Sequence, residues 1–502
     1  TSVDGLIDID GENISIGNVG TAVVQTLGTG DIDLDATTAI TVDANGQVVA
    51  GGTVDVGQNT RPTTLTINGN GIGATGNITG DGDTVTVGGT VESTTAAVDL
   101  QSTAGDLTTT GNLVGDNVTL TADATNVVIN GAVDNTEGGF DLNAAAGTVD
   151  INANMTAADG FDVDGQTIDS TGGALVAVNT IDLNATADLT VGAAITVGSG
   201  DINLTKSTAA EGDIIISGVV TAQGQSGDIT ILNSGAATSS DITVNSALNT
   251  NGGNIDIDTT LGRIDIDAAT TAGDFGTIDI FADGDADGDL SISSTVTTSG
   301  GSITLRADDD VNLDNVASDI TSTLGNITIT GDVSGTQAGI VAMLDGSVVN
   351  AGSGSIDINA DGDITLGDLI TTSTSDTAVT LTSTSGGIVD VDAAGGLDVV
   401  AANGRLVIDS ETGIGTADAI ETTVASIDLF NNTSGDISID ETDDLTIIEV
   451  QQDEDDNITV LAGGSITIDS TGTGVIIDDD GNADGNGTIL VRAEAGNLTV
   501  DQ

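Results

Sequence analysis

The sequence predicts an all-β chain wound as a single elongated parallel β-helix, a β-solenoid of about 20 coils of roughly 25 residues each. Three observations carry that prediction: the composition, a period-2 alternation of apolar and polar residues, and its return at a fixed spacing. The chain has 502 residues, with 71 Gly, one Pro and no His, Cys, Trp or Tyr. Of its 78 acidic residues, 68 are Asp and ten are Glu, against six Lys and Arg, a formal net charge of −72. Such a charge suggests disorder. However, disordered acidic chains are poor in β-branched residues, whereas 38% of this chain is hydrophobic, mostly Val, Ile, Leu and Ala. Asp and Gly favour turns and weaken helices, so strands and turns remain.

The alternating segments run the whole length, among them 31–35 (DIDLD), 84–87 (TVTV), 117–121 (NVTLT), 228–232 (DITIL), 302–306 (SITLR), 355–359 (SIDIN) and 465–469 (SITID). Each is apolar at every second position, so one strand face is buried and the other meets water. Gly, Asn or Asp brackets nearly every one. One apolar anchor per unit gives Ile255, Ile278, Ile303, Ile327, Ile356, Val379, Leu406 and Ile427, spaced 23, 25, 24, 29, 23, 27 and 21 residues apart. A second strand follows many anchors, at Ile264, Leu290, Val311 and Ile364. A period in the twenties with several short strands per period marks stacked coils; sandwiches and barrels do not keep one register over such a length. No Pro/Ser-rich linker interrupts residues 1–502, which read as one continuous solenoid. At about 4.8 Å per coil its length is on the order of 100 Å. Phe140, Phe161, Phe275, Phe281 and Phe430 are expected as core filler or plugs at turn ends.

Segments 300–313 (GGSITLRADDDVNL) and 354–366 (GSIDINADGDITL) resemble the repeats of filamentous-haemagglutinin-type bacterial exoproteins, and the likeness covers most of the chain. The resemblance implies a right-handed parallel β-helix, secreted or displayed on the cell surface, acting as an adhesin or fibre. The N-terminal secretion domain of that group has no counterpart in this sequence.

The charge sets further limits. Spread over about 100 Å it amounts to about 0.7 per Å, against about 0.6 for duplex DNA. Nucleic acid and anionic lipid surfaces are therefore excluded as partners, and counter-ions are expected in the working state. Oxygen-only ligands favour hard cations, with Ca²⁺ first. Two stretches have the spacing of a Ca²⁺ loop. In one, Asp283, Asp285, Asp287 and Asp289 alternate around Gly288; in the other, Asp480, Asn482, Asp484 and Asn486 alternate around Gly485. Each places three side-chain oxygens on a concave turn, but the Glu that closes an EF-hand loop is replaced by Ser294 and Val491. The clusters 308–310 (DDD) and 453–456 (DEDD) lack that spacing and read as hydrated corners.

Function follows by class. Without imidazole, thiol or phenol, most side chains used for proton transfer and covalent catalysis are missing, and no enzyme is expected. A polysaccharide lyase would need basic and aromatic residues at its site, and an ice-binding face would need Thr arrays on every coil. Here the arrays, 371–375 (TTSTS) and 108–110 (TTT), are local. No apolar run approaches a membrane span. Both terminal segments read as strands without a capping helix, so the expected partner is a second copy added by strand pairing, giving an extracellular filament. A Ca²⁺-dependent surface-layer lattice and the stalk of a larger adhesin are the alternatives.

Overall fold

The structure is a computed structural model, and it describes residues 1–207, 211–235, 240–284, 288–335, 339–391, 395–453, 456–469, 471–477 and 487–501. The described residues form 56 strands and no helix, paired in parallel as stacked coils of a β-solenoid of about 20 turns. The chain divides into two compact units, Thr1–Ala236 and Ala237–Gln502.

In the first unit each coil contributes three strands. One face stacks Ile7, Ile32, Val54, Ile78, Val98, Val118, Phe140, Phe161, Ile181, Ile202 and Ile229, each the register partner of the next. A second runs from Ile14 through Ile40, Leu65 and Val85 to Leu189 and Ile214. The third comprises Val48, Ile72, Val91 and Leu113, and then Val133, Met155, Leu175, Ile195 and Val220. Parallel neighbours need a long crossover, and here the other two strands of the coil supply it.

The second unit repeats this plan. The eight anchors Ile255, Ile278, Ile303, Ile327, Ile356, Val379, Leu406 and Ile427 are successive register partners along one face, as their spacing predicts. The second face is Ile242, Ile264, Leu290, Val311, Val341, Ile364 and Ile388. The third is Leu248, Thr270, Val296, Ile320, Val349, Leu369 and Val399.

Alternation decides which side chains fill the coils. In Ile303–Ala307 the residues Ile303, Leu305 and Ala307 are buried, while Thr304 and Arg306 face outward. In several coils the third strand ends on a small hydroxyl residue turned inward, which settles the corner. Thr250 donates to Gly253 O (2.5 Å), Thr298 to Gly301 O (2.6 Å) and Thr371 to Gly354 O (2.5 Å), satisfying carbonyls that no ladder reaches.

A glycine column stands beside these hydroxyls. A Cβ on Gly301, Gly325 or Gly354 would lie 2.1 Å from the carbonyl oxygen of Gly276, Gly301 or Gly325 on the coil below. Gly325→Ala is therefore expected to force neighbouring coils apart and to cost about 1–3 kcal/mol, read as a lower denaturation midpoint at unchanged m-value.

Two of the five phenylalanines meet the expectation of core filler. Phe140 and Phe161 are buried and stack at 5.4 Å between ring centroids. The other three do not. Phe275 is 76% exposed at a turn, and Phe281 and Phe430 occupy outward positions next to the inward Ile280 and Leu429.

Candidate cation sites and the corner carboxylates

Many Asp and Asn residues sit immediately before the first inward residue of a strand, and the structure gives that position a function. The side-chain oxygen accepts a hydrogen bond from a backbone N–H one coil further on. Asp31 accepts from Thr53 (2.7 Å), Asp241 from Arg263 (3.1 Å), Asn326 from Ser355 (3.0 Å) and Asp436 from Asn457 (2.8 Å). Some form continuous ladders, as where Asp106 accepts from Asn126 and Asn126 from Thr148. A carboxylate accepting from an N–H makes a short charge-assisted bond, so much of the negative charge ties coil to coil.

Little of it is balanced by cations of the chain. Each of the five arginines is already engaged. Arg61 pairs with Asp81, Arg263 with Asp265, Arg405 with Asp376 and Asp428, and Arg492 with Glu494. Arg306 holds both oxygens of Asp279 (3.0 and 3.1 Å) and lies 4.4 Å over the ring of Phe281.

Of the first Ca²⁺-spaced loop, the structure describes Asp283 and Asp289, while Asp285 and Asp287 lie outside the described residues. The amide of Asp283 donates to Thr259 O at 3.1 Å. Asp289 is a corner carboxylate: its Oδ1 accepts from the Asp310 amide at 3.2 Å, and Asp310 Oδ1 accepts from Ile340 at 2.8 Å. Asp289, Asp309 and Asp310 each offer a carboxylate oxygen, all within 4.8 Å of one another. Among the described residues this cluster lies between successive coils. Asp308, expected in a hydrated corner, is buried. The other four candidates, Asp480, Asn482, Asp484 and Asn486, lie outside the described residues.

A second trio has no counterpart among the sequence motifs. Asp390 closes the strand Ile388–Asp390, Asp398 immediately precedes Val399–Ser410, and Glu421 lies in Ile420–Asn431 on the following coil. Asp390 and Asp398 are buried, and the three carboxyls again share a 4.8 Å sphere. Backbone bonds fix two of them, Glu421 N–H donating to Asp398 Oδ2 (2.8 Å) and Asp398 N–H to Glu421 O (2.9 Å). Glu421 Oε2 is buried and accepts no hydrogen bond from the described residues. Burial, then the charges of Asp390 and Glu421, push Asp398 up to about 8; burial and Asp390 also raise Glu421. Carboxyls this close either keep a proton among them or, to ionise together, need a cation between them. The oxygen-only donor set suits Ca²⁺ or Mg²⁺.

Buried carboxyls also occur singly. Glu441 takes hydrogen bonds from the Thr422 hydroxyl (2.7 Å) and the amides of Val424 (3.0 Å) and Asp443 (3.3 Å). Burial nevertheless outweighs these bonds and raises it to about 7. On the outer face, burial and the neighbouring Asp256 and Asp279 raise Asp258 to about 6.

The chain matches no protein-family model, no curated protein and no solved structure.

Proposed function

We propose that this protein is a structural subunit of an extracellular fibre or adhesin stalk, in which coils of one copy stack on coils of the next and acidic clusters bind divalent cations. The observation that carries the reading is the in-register parallel stack itself, which offers the same apolar inward rows coil after coil. At the last described coil Leu498 and Val500, in register with the inward Ile466 and Ile468, are 50% and 59% exposed. An open parallel edge with apolar inward positions is a template for strand addition. The first-coil run Ile7, Ile9 presents the same inward alternation as Ile489, Val491 in the last. Such a contact is heterologous and does not close, so it propagates.

Two features make a mechanical role the economical one. Within each unit the interior is a ladder of mainly apolar side chains, and the outer face carries charge that keeps lateral surfaces apart unless cations bridge them. Sedimentation velocity on dilution tests the contact. The wild type is expected to form concentration-dependent species larger than one chain. Leu498→Lys, which places a charge on the open edge, is expected to sediment as a single chain with its far-UV spectrum unchanged. A wild type that stays a single chain at every concentration and Ca²⁺ level removes the self-assembly reading.

A further inference from the structure

Lys206 is the only lysine in the chain, and it is fully buried. It ends the strand Ile202–Lys206, in line with the inward residues Ile202 and Leu204. In the stack it lies between Ala185 on one coil and Asn233 on the next, each its register partner. In-register parallel strands lie about 4.8 Å apart, so inward side chains at paired positions are in reach of each other. The two backbones are pinned at this point: both the amide and the hydroxyl of Ser234 donate to Lys206 O, at 2.9 and 2.8 Å.

The side chains converge on Gly212. Asn233 Nδ2 donates to Gly212 O at 3.1 Å, and Lys206 Cε lies 2.9 Å from where a Cβ on Gly212 would stand. Asn233 Oδ1 accepts from the Gly235 amide at 3.3 Å, which polarises the carboxamide carbonyl. Burial lowers the Lys206 pKa, favouring the neutral, nucleophilic amine, while Asp213 and then Asp188 oppose that shift.

We infer that Lys206 and Asn233 form an intramolecular isopeptide bond that staples two successive coils. Lys206 Nζ attacks Asn233 Cγ, and the Gly235 N–H stabilises the oxyanion that develops on Oδ1. The Nζ–Cγ bond forms, the Cγ–Nδ2 bond breaks, and the proton lost by Nζ leaves with Nδ2 as ammonia. Asp213, the carboxylate that acts most strongly on Lys206, carries that proton. No oxidant or cofactor takes part. The product replaces a buried amine with a neutral amide, removing the cost of an ammonium in an apolar interior.

Trypsin reads the bond directly. Arg61 is followed by Pro62, which resists cleavage, so after denaturation the first efficient sites are Lys206 and Arg263. The expected result is a chain lighter by one ammonia, uncut at Lys206, yielding one peptide spanning residues 1–263. Release of a separate 207–263 peptide from a chain of unmodified mass overturns the inference. Asn233→Ala is expected to restore both the mass and the cleavage, and Asp213→Asn to leave a measurable unreacted fraction. If Asn233→Ala does not fold, the wild-type mass and digest still decide.

Discussion

Heated in a chelator, the protein is expected to unfold at a lower temperature at pH 8 than at pH 5, and millimolar Ca²⁺ at pH 8 is expected to recover most of the difference. Asp398 is raised to about 8, Glu441 to about 7 and Asp258 to about 6, burial being the first cause in each case. In the unfolded chain these carboxyls titrate near 4. Between those limits the folded state binds more protons than the unfolded one, so stability falls as pH rises from about 4 through the folded values. The general repulsion of a chain with net charge −72 acts in the same direction. A cation bound among Asp390, Asp398 and Glu421 would stand in for the missing proton and would stabilise by mass action. About 1 kcal/mol moves Tm by about 2–4 °C in a unit of this size, so the shift is readable by calorimetry. Asp398→Asn is expected to raise Tm at pH 8 in chelator and to blunt the response to Ca²⁺. Equal Tm at the two pH values, or no response to Ca²⁺ in the wild type, contradicts this account of the trio.

Leu305→Asp is expected to be strongly destabilising in the second unit. Leu305 is fully buried, stacked between the equally buried Ile280 and Ile329. An aspartate there would be desolvated and unpaired, at a cost of about 4 kcal/mol or more. Because each coil touches only its neighbours, the loss is expected to unfold adjacent coils first. Hydrogen exchange then localises it: amides of Ile278–Ala282, Ile303–Ala307 and Ile327–Thr330 lose protection while distant coils keep theirs. Thr304→Asn, one position earlier and facing water, is the control and is expected to change stability by less than about 0.5 kcal/mol.

The coil was largely legible because its main strands obey two simple rules. Apolar residues at every second position mark the inward face, and their return every 21 to 29 residues marks the stack, which is why Ile255 through Ile427 fall into register. The third face was less visible. Its strands are three residues long in Thr270–Ala272 and Val296–Thr298, and Thr, Ser and Ala occupy inward places, so alternation there looks like loop. The structural part played by the acidic residues was less legible. Alternation says whether a side chain faces water, but a corner aspartate such as Asp31 finds its partner one coil away, at Thr53. The trio escaped for a related reason, since Asp390, Asp398 and Glu421 share no local spacing and meet only when coils stack. One signal was present: Asp390 occupies a position in Ile388–Asp390 where alternation calls for an apolar side chain.

Electron microscopy of the purified protein, with millimolar Ca²⁺ and then in chelator, tests the central claim most directly. Coils that stack between copies predict thin unbranched filaments many chains long, shortened or lost in chelator, with the roughly 4.8 Å axial spacing of stacked strands in fibre diffraction. Discrete particles of one chain under both conditions would contradict it.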